Sequence, residues 1–195
     1  RLGHGRLGAG MTPPSITLCD VVLRHAGEVA VSHVSGTFAP GSLTAIAGFN
    51  GAGKTTLLCA IAGLHAPYAG HIAFDGAPAE IALLAQSDDI ERGFPISCRD
   101  MVMLGHWRRI GAFGNLSATM RKAADAALAT TSIAEIGGKP IGALSAGQFQ
   151  RARFARLLVQ DAPVMLLDEP FSAVDERTAE DLLGILLRWH REGRT

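Results

Sequence analysis

The stretch GFNGAGKTTLL, residues 48–58, decides how this chain is read. It fits the spacing G-x-x-x-x-G-K-[ST], in which a glycine-rich turn opens directly into an apolar helix. Gly51 and Gly53 permit backbone conformations that turn successive N–H groups toward phosphates, and the helix offers its positive end to the same anion. Lys54 adds a point charge, and the Thr55 hydroxyl is a candidate ligand for Mg²⁺. Gly48, Phe49, Asn50, Gly51, Ala52, Gly53, Lys54, Thr55 and Thr56 therefore form a candidate nucleotide site. The apolar run LTAIA (residues 43–47) predicts a strand entering the loop. Leu57, Leu58, Ile61 and Leu64 share one face of a helix predicted over residues 54–64.

A second signal is VMLLDEP, residues 164–170. Its apolar run lacks alternation, as a strand buried on both faces of a parallel sheet should. Such a strand ending in a carboxylate can deliver Asp168 to the phosphate loop, where it holds the Mg²⁺ shell. Glu169 comes next, suited to polarise an attacking water as general base.

The third signal is LSAGQFQR, residues 144–151, where Ser145 is a good N-cap for a helix predicted over residues 146–160. With the two preceding motifs it resembles the signature of ABC-type ATPases, and the resemblance covers residues 16–195. It implies an α/β P-loop fold: a RecA-like parallel core, an N-terminal antiparallel β subdomain and a helical insertion. It also implies ATP as the nucleotide. Gln86, ending IALLAQ, matches the glutamine that in this family contacts Mg²⁺ and the attacking water and senses a membrane domain. SAVD, residues 172–175, looks like the loop that communicates between two subunits. His25 falls where the family stacks an aromatic on adenine; a surface-turn histidine fits that position equally well. The signature implies a homodimer in which Ser145, Gly147 and Gln148 serve the γ-phosphate of the nucleotide held by the other copy.

Two departures stand out. Ala146 replaces the first glycine of the signature. The chain stops at Thr195, whereas the family's switch histidine follows the next core strand, about six residues on. That strand is therefore expected to be missing here, and His190, inside LLRWHREG, is not the switch residue. The expected organisation is a disordered tail over residues 1–11 and one ATP-binding domain over 12–195, with a helical subdomain at about 88–143.

Composition narrows the classes further. Lys plus Arg and Asp plus Glu both number 18, so the formal net charge is zero and nucleic acid is disfavoured as main partner. Three scattered cysteines fit a reduced protein better than a disulfide framework. No window of about 18 residues is continuously apolar, so any membrane span must lie in another chain. The stretch DDIERGFPISCRDMVMLGHWRRIG, residues 88–111, resembles the permease-docking region of manganese, zinc and iron importer ATPases. This implies a separate membrane permease, an extracytoplasmic metal-binding protein, and a place on the cytoplasmic face of the membrane. The seven histidines form no HxH or HxxxH pair, so the transported metal is expected to be held by those partners. Two other readings fit the motifs: a soluble ABC ATPase scaffold of the iron–sulfur assembly type, and a non-catalytic nucleotide-binding module.

Overall fold

The computed structural model describes residues 13–75, 80–86, 91–111, 114–172 and 174–195. The tail over residues 1–11 and the start of the docking stretch at 88–90 lie outside them. The chain divides into two compact units. The first comprises the residues up to Gln86 with Ala162–Asp168 and Arg188–Thr195; the second comprises Ser87–Asp161 with Glu169–Leu187.

In the first unit, β1 (Ile16–His25), β2 (Glu28–Phe38) and β3 (Ala69–Phe74) form an antiparallel sheet in the order β2-β1-β3. Ile16, Leu18, Val21 and Leu23 of β1 are buried, and they pack with Leu57, Leu58 and Ile61 of α1 (Lys54–Ile61) and with Val164 and Leu166. Full burial of each such side chain contributes about 1.5–3 kcal/mol. β4 (Ile81–Leu84) pairs in parallel with β5 (Val164–Leu167), with Leu84 opposite Leu167. The unbroken apolar character of VMLL is thus that of a parallel strand. Beside β5, the Thr195 amide donates to the Pro163 carbonyl at 3.0 Å and its carbonyl accepts from Met165 N at 2.8 Å. Those two bonds are the pattern of parallel pairing at Val164.

Two local expectations are corrected. Residues 43–47 form no strand: no described strand pairs with them, and Leu43 is exposed. Apolar, β-prone residues make a strand only where a neighbour supplies a ladder. Helix α1 ends at Ile61, not Leu64, because Gly63 turns left-handed at φ 75° and leads the chain off the helical path. Leu64 is consequently exposed rather than part of the buried face.

The second unit is helical. It holds α2 (Cys98–Met103), α3 (Trp107–Ile110), α4 (Ala118–Thr130), α5 (Ala146–Gln160) and the larger part of α6 (Glu176–Arg191). Ser97 and Ser117 cap α2 and α4 through the amides of Asp100 and Met120. Ala124, Ala127 and Leu128 of α4 and Ala152, Ala155 and Val159 of α5 share one core with Met101 and Val102. The small alanines let these helices approach closely. Among the described residues, no helix is long and apolar enough to cross a membrane.

Candidate functional site

The phosphate loop is shaped by left-handed glycines, with φ 82° at Gly51 and 83° at Gly53. At Gly53 a Cβ would stand 2.4 Å from the Ala30 carbonyl oxygen and 2.8 Å from Val31 Cγ2, so only glycine fits against β2. The Ala52 amide closes the turn on the Phe49 carbonyl at 3.1 Å. Gly53 is also the N-cap of α1 and supplies no side-chain bond, and the first turn of α1 carries no acidic residue. The helix therefore presents uncapped amides and its positive end to an anion. Lys54 Nζ donates to the carbonyls of Gly48 at 2.9 Å and Phe49 at 2.8 Å, which holds its charge over the loop.

Strands β4 and β5 bring the acidic partner. Asp168, 4% exposed, is fixed by its amide on the Leu84 carbonyl at 2.9 Å. Its Oδ2 accepts from the Thr55 hydroxyl at 2.6 Å. A hydroxyl and a carboxylate in contact at the head of α1 are hard oxygen donors of the kind Mg²⁺ takes, so the residues fit that ion. The carboxylate is felt on α1 itself: burial, and then the Asp168 charge, push the Cys59 thiol up from its ordinary value. Gln86 is exposed two residues beyond Leu84, and the register of Leu84 with Leu167 puts it at the same strand ends as Asp168. His25 is exposed and paired with Glu28 across the tight hairpin turn at Ala26 and Gly27, both with positive φ. The neighbouring Arg24 guanidinium stacks at 3.9 Å on Tyr68, an exposed aromatic that sequence reasoning passed over.

In the second unit, Ser145 heads α5 in a capping box. Gln148 N donates to Ser145 Oγ at 3.2 Å, and Ser145 N donates to Gln148 Oε1 at 3.1 Å. Such a cap stabilises by about 1 kcal/mol. A Cβ on Gly147 would lie 3.3 Å from Thr178 Oγ1, so α5 lies close to the start of α6. There Asp175 caps α6 through the Thr178 amide at 2.9 Å and hydroxyl at 3.0 Å, bonds that lower its carboxyl pKa. Of the loop expected at residues 172–175, Ala173 lies outside the described residues.

Arg92, also missed in the sequence, donates to the Leu144 carbonyl just ahead of Ser145, and its guanidinium lies 4.9 Å from the Phe149 ring. A short ladder runs beside that contact: Ile141 N donates to Ile96 O at 3.1 Å and Cys98 N to Lys139 O at 2.8 Å. The segment following Gln86 is thereby bonded to the signature-like loop by backbone and side chain together.

Glu169 takes a left-handed backbone at φ 46° immediately before Pro170. A non-glycine residue there costs about 1–3 kcal/mol and persists only where neighbours enforce it. Ser172 does so, donating to the Glu169 carbonyl from its amide at 3.1 Å and its hydroxyl at 2.9 Å.

The family profile described as ABC transporter matches residues 31–172. The manganese transport system ATP-binding protein MntA of Synechocystis sp. is 33% identical over 175 residues, covering 86% of this chain and 67% of that one. The manganese transport system ATP-binding protein MntB of Listeria innocua is 33% identical over 180 residues, covering 90% and 75% respectively. Among solved structures, an inward-facing transporter described as a metal-chelate type ABC transporter superposes with a TM-score of 0.80 at 25% identity, covering 92% of this chain and 69% of that one.

Proposed function

The chain belongs to the ABC transporter family of ATP-hydrolysing proteins, and from that premise we propose that it drives import of a divalent transition metal through a separate permease. The observation that carries the nucleotide chemistry is the 2.6 Å bond from Thr55 to Asp168 at the uncapped head of α1.

Lys54 and the first amides of α1 hold the phosphates of ATP. Thr55 and Asp168 hold Mg²⁺, with Gln86 at the same strand ends; the ion supplies charge neutralisation at the phosphates. Glu169 takes the proton of the attacking water as general base, and Gln86 orients that water. Ser145, Gly147 and Gln148 at the head of α5 close on the nucleotide of a second copy, where the helix dipole favours the γ-phosphate. His25 lies against the adenine. ATP thus becomes part of a homodimer interface, and hydrolysis opens it.

The transport reading is supported by the relatives named for manganese transport and by the run FPISCRDMVMLG, residues 94–105. In it the protein works at the cytoplasmic face of the membrane. The permease docks on the segment after Gln86, and an extracytoplasmic protein captures the manganese, zinc or iron. Arg92 and the Ile96–Ile141 ladder give that segment a bonded route to Ser145.

The test is metal uptake by cells that co-express this chain with a multi-span permease of a metal importer. Metal uptake should require ATP binding here and disappear with Lys54→Ala. Uptake that persists in the Lys54→Ala strain would refute the proposal.

A further inference from the structure

Gln150 is 5% exposed, and both ends of its side-chain amide are used. Nε2 donates to the Pro170 carbonyl at 2.6 Å, and Oε1 accepts from Arg153 Nη1 at 2.8 Å. The guanidinium of Arg153 can only donate, so the amide orientation is fixed: oxygen toward Arg153, nitrogen toward Pro170. Pro170 follows Glu169, whose left-handed φ of 46° is unfavourable for a residue preceding proline. That backbone is restrained on one side by Ser172, bound to the Glu169 carbonyl, and on the other by Gln150, bound to the Pro170 carbonyl.

We propose that Gln150 is a positioning residue for ATP hydrolysis: it anchors the Glu169–Pro170 turn to α5 and so directs the Glu169 carboxylate. This rests on the reading of Glu169 as general base. In that reading α5 is also the helix whose head meets the second copy's nucleotide. One buried amide then passes movement of the signature helix to the base on the same chain.

Gln150→Glu keeps the shape and the acceptor for Arg153, removes the donor to Pro170 and adds a carboxylate charge. Its kcat should fall about tenfold, the rate equivalent of one neutral hydrogen bond, while KM for MgATP is unchanged. MgATP should also hold the variant as a dimer for longer, read by size-exclusion chromatography, because binding survives while hydrolysis slows. Gln150→Met, which adds no buried charge, should show the same split at a native circular dichroism spectrum. In a Glu169→Gln background, Gln150→Glu should lower kcat no further, since the group through which it acts is gone. Wild-type kcat in both Gln150 variants would overturn the proposal, as would a further tenfold loss on the Glu169→Gln background. Failure of the underlying reading looks different: Glu169→Gln alone would then turn over ATP at the wild-type rate, which overturns both.

Discussion

The Thr55 hydroxyl donates to the Asp168 carboxylate at 2.6 Å, joining residues that lie 113 positions apart in the chain. One heads the helix after the glycine loop, and the other ends a buried parallel strand. If this pair holds Mg²⁺, Thr55→Val should abolish the gain in ATP affinity that Mg²⁺ gives while leaving metal-free ATP binding intact. Titration with a fluorescent ATP analogue, with and without Mg²⁺, reads the difference. An undiminished Mg²⁺ effect would remove Thr55 from the site.

Lys54 is tied to the carbonyls of Gly48 and Phe49, and its charge stands over the phosphate loop. Charge-assisted hydrogen bonds contribute about 1.5–3 kcal/mol each, so Lys54→Ala should weaken ATP binding by about 10- to 100-fold. Calorimetric titration measures this directly, and a Kd within twofold of wild type would contradict it.

Gly147 also has a packing role, separate from the nucleotide. Its missing Cβ lets α5 lie against Thr178, where an added methyl would meet Oγ1 at 3.3 Å and Cγ2 at 3.7 Å. Gly147→Ala should therefore destabilise by about 1 kcal/mol or more, as overpacking does. Thr178→Ala in the same chain should recover part of that loss, read as Tm. An additive double variant would show that the contact does not limit packing.

His106 gives a pH dependence. It is 3% exposed; Nε2 donates to the Met120 carbonyl at 3.1 Å, and Nδ1 has no partner among the described residues. Burial lowers its pKa, opposed by the Met120 bond and reinforced by the positive charge of Arg109. The folded pKa is depressed, so the unfolded chain binds the proton first as pH falls. Stability from this group is present above the ordinary histidine value and is lost as pH drops through and below it. Tm should fall from about pH 7.5 to about pH 5.5, and less steeply in His106→Gln. Parallel Tm profiles would exclude His106 as the cause.

Much of the local geometry of the glycine loop and the signature-like helix was legible in the sequence because it depends on near neighbours. The turn at Gly51 and Gly53, the cap at Ser145 and the helix at Ala146–Gln160 depend on residues a few positions apart, and all were read in place. One misreading came where a distant partner decides, the other at an adjacent left-handed glycine. Residues 43–47 have strand composition but no ladder, and Leu64 has helical spacing but lies beyond a left-handed glycine. The contacts of Arg92 with Leu144 and of Gln150 with Pro170 were invisible for the same reason: nothing in one sequence announces a side chain reaching a remote carbonyl. The stretch over residues 88–111, whose Arg92 is bonded to the Leu144 carbonyl, was singled out by its resemblance to a permease-docking region.

The account turns on Glu169 acting as the general base for ATP hydrolysis. Phosphate release by wild type and Glu169→Gln, with ATP binding followed in parallel, tests it most directly. The account predicts that Glu169→Gln binds ATP as wild type does, accumulates as an ATP-bound dimer and loses turnover by at least about 100-fold, the range of general-base catalysis. A Glu169→Gln protein that releases phosphate at the wild-type rate would contradict it.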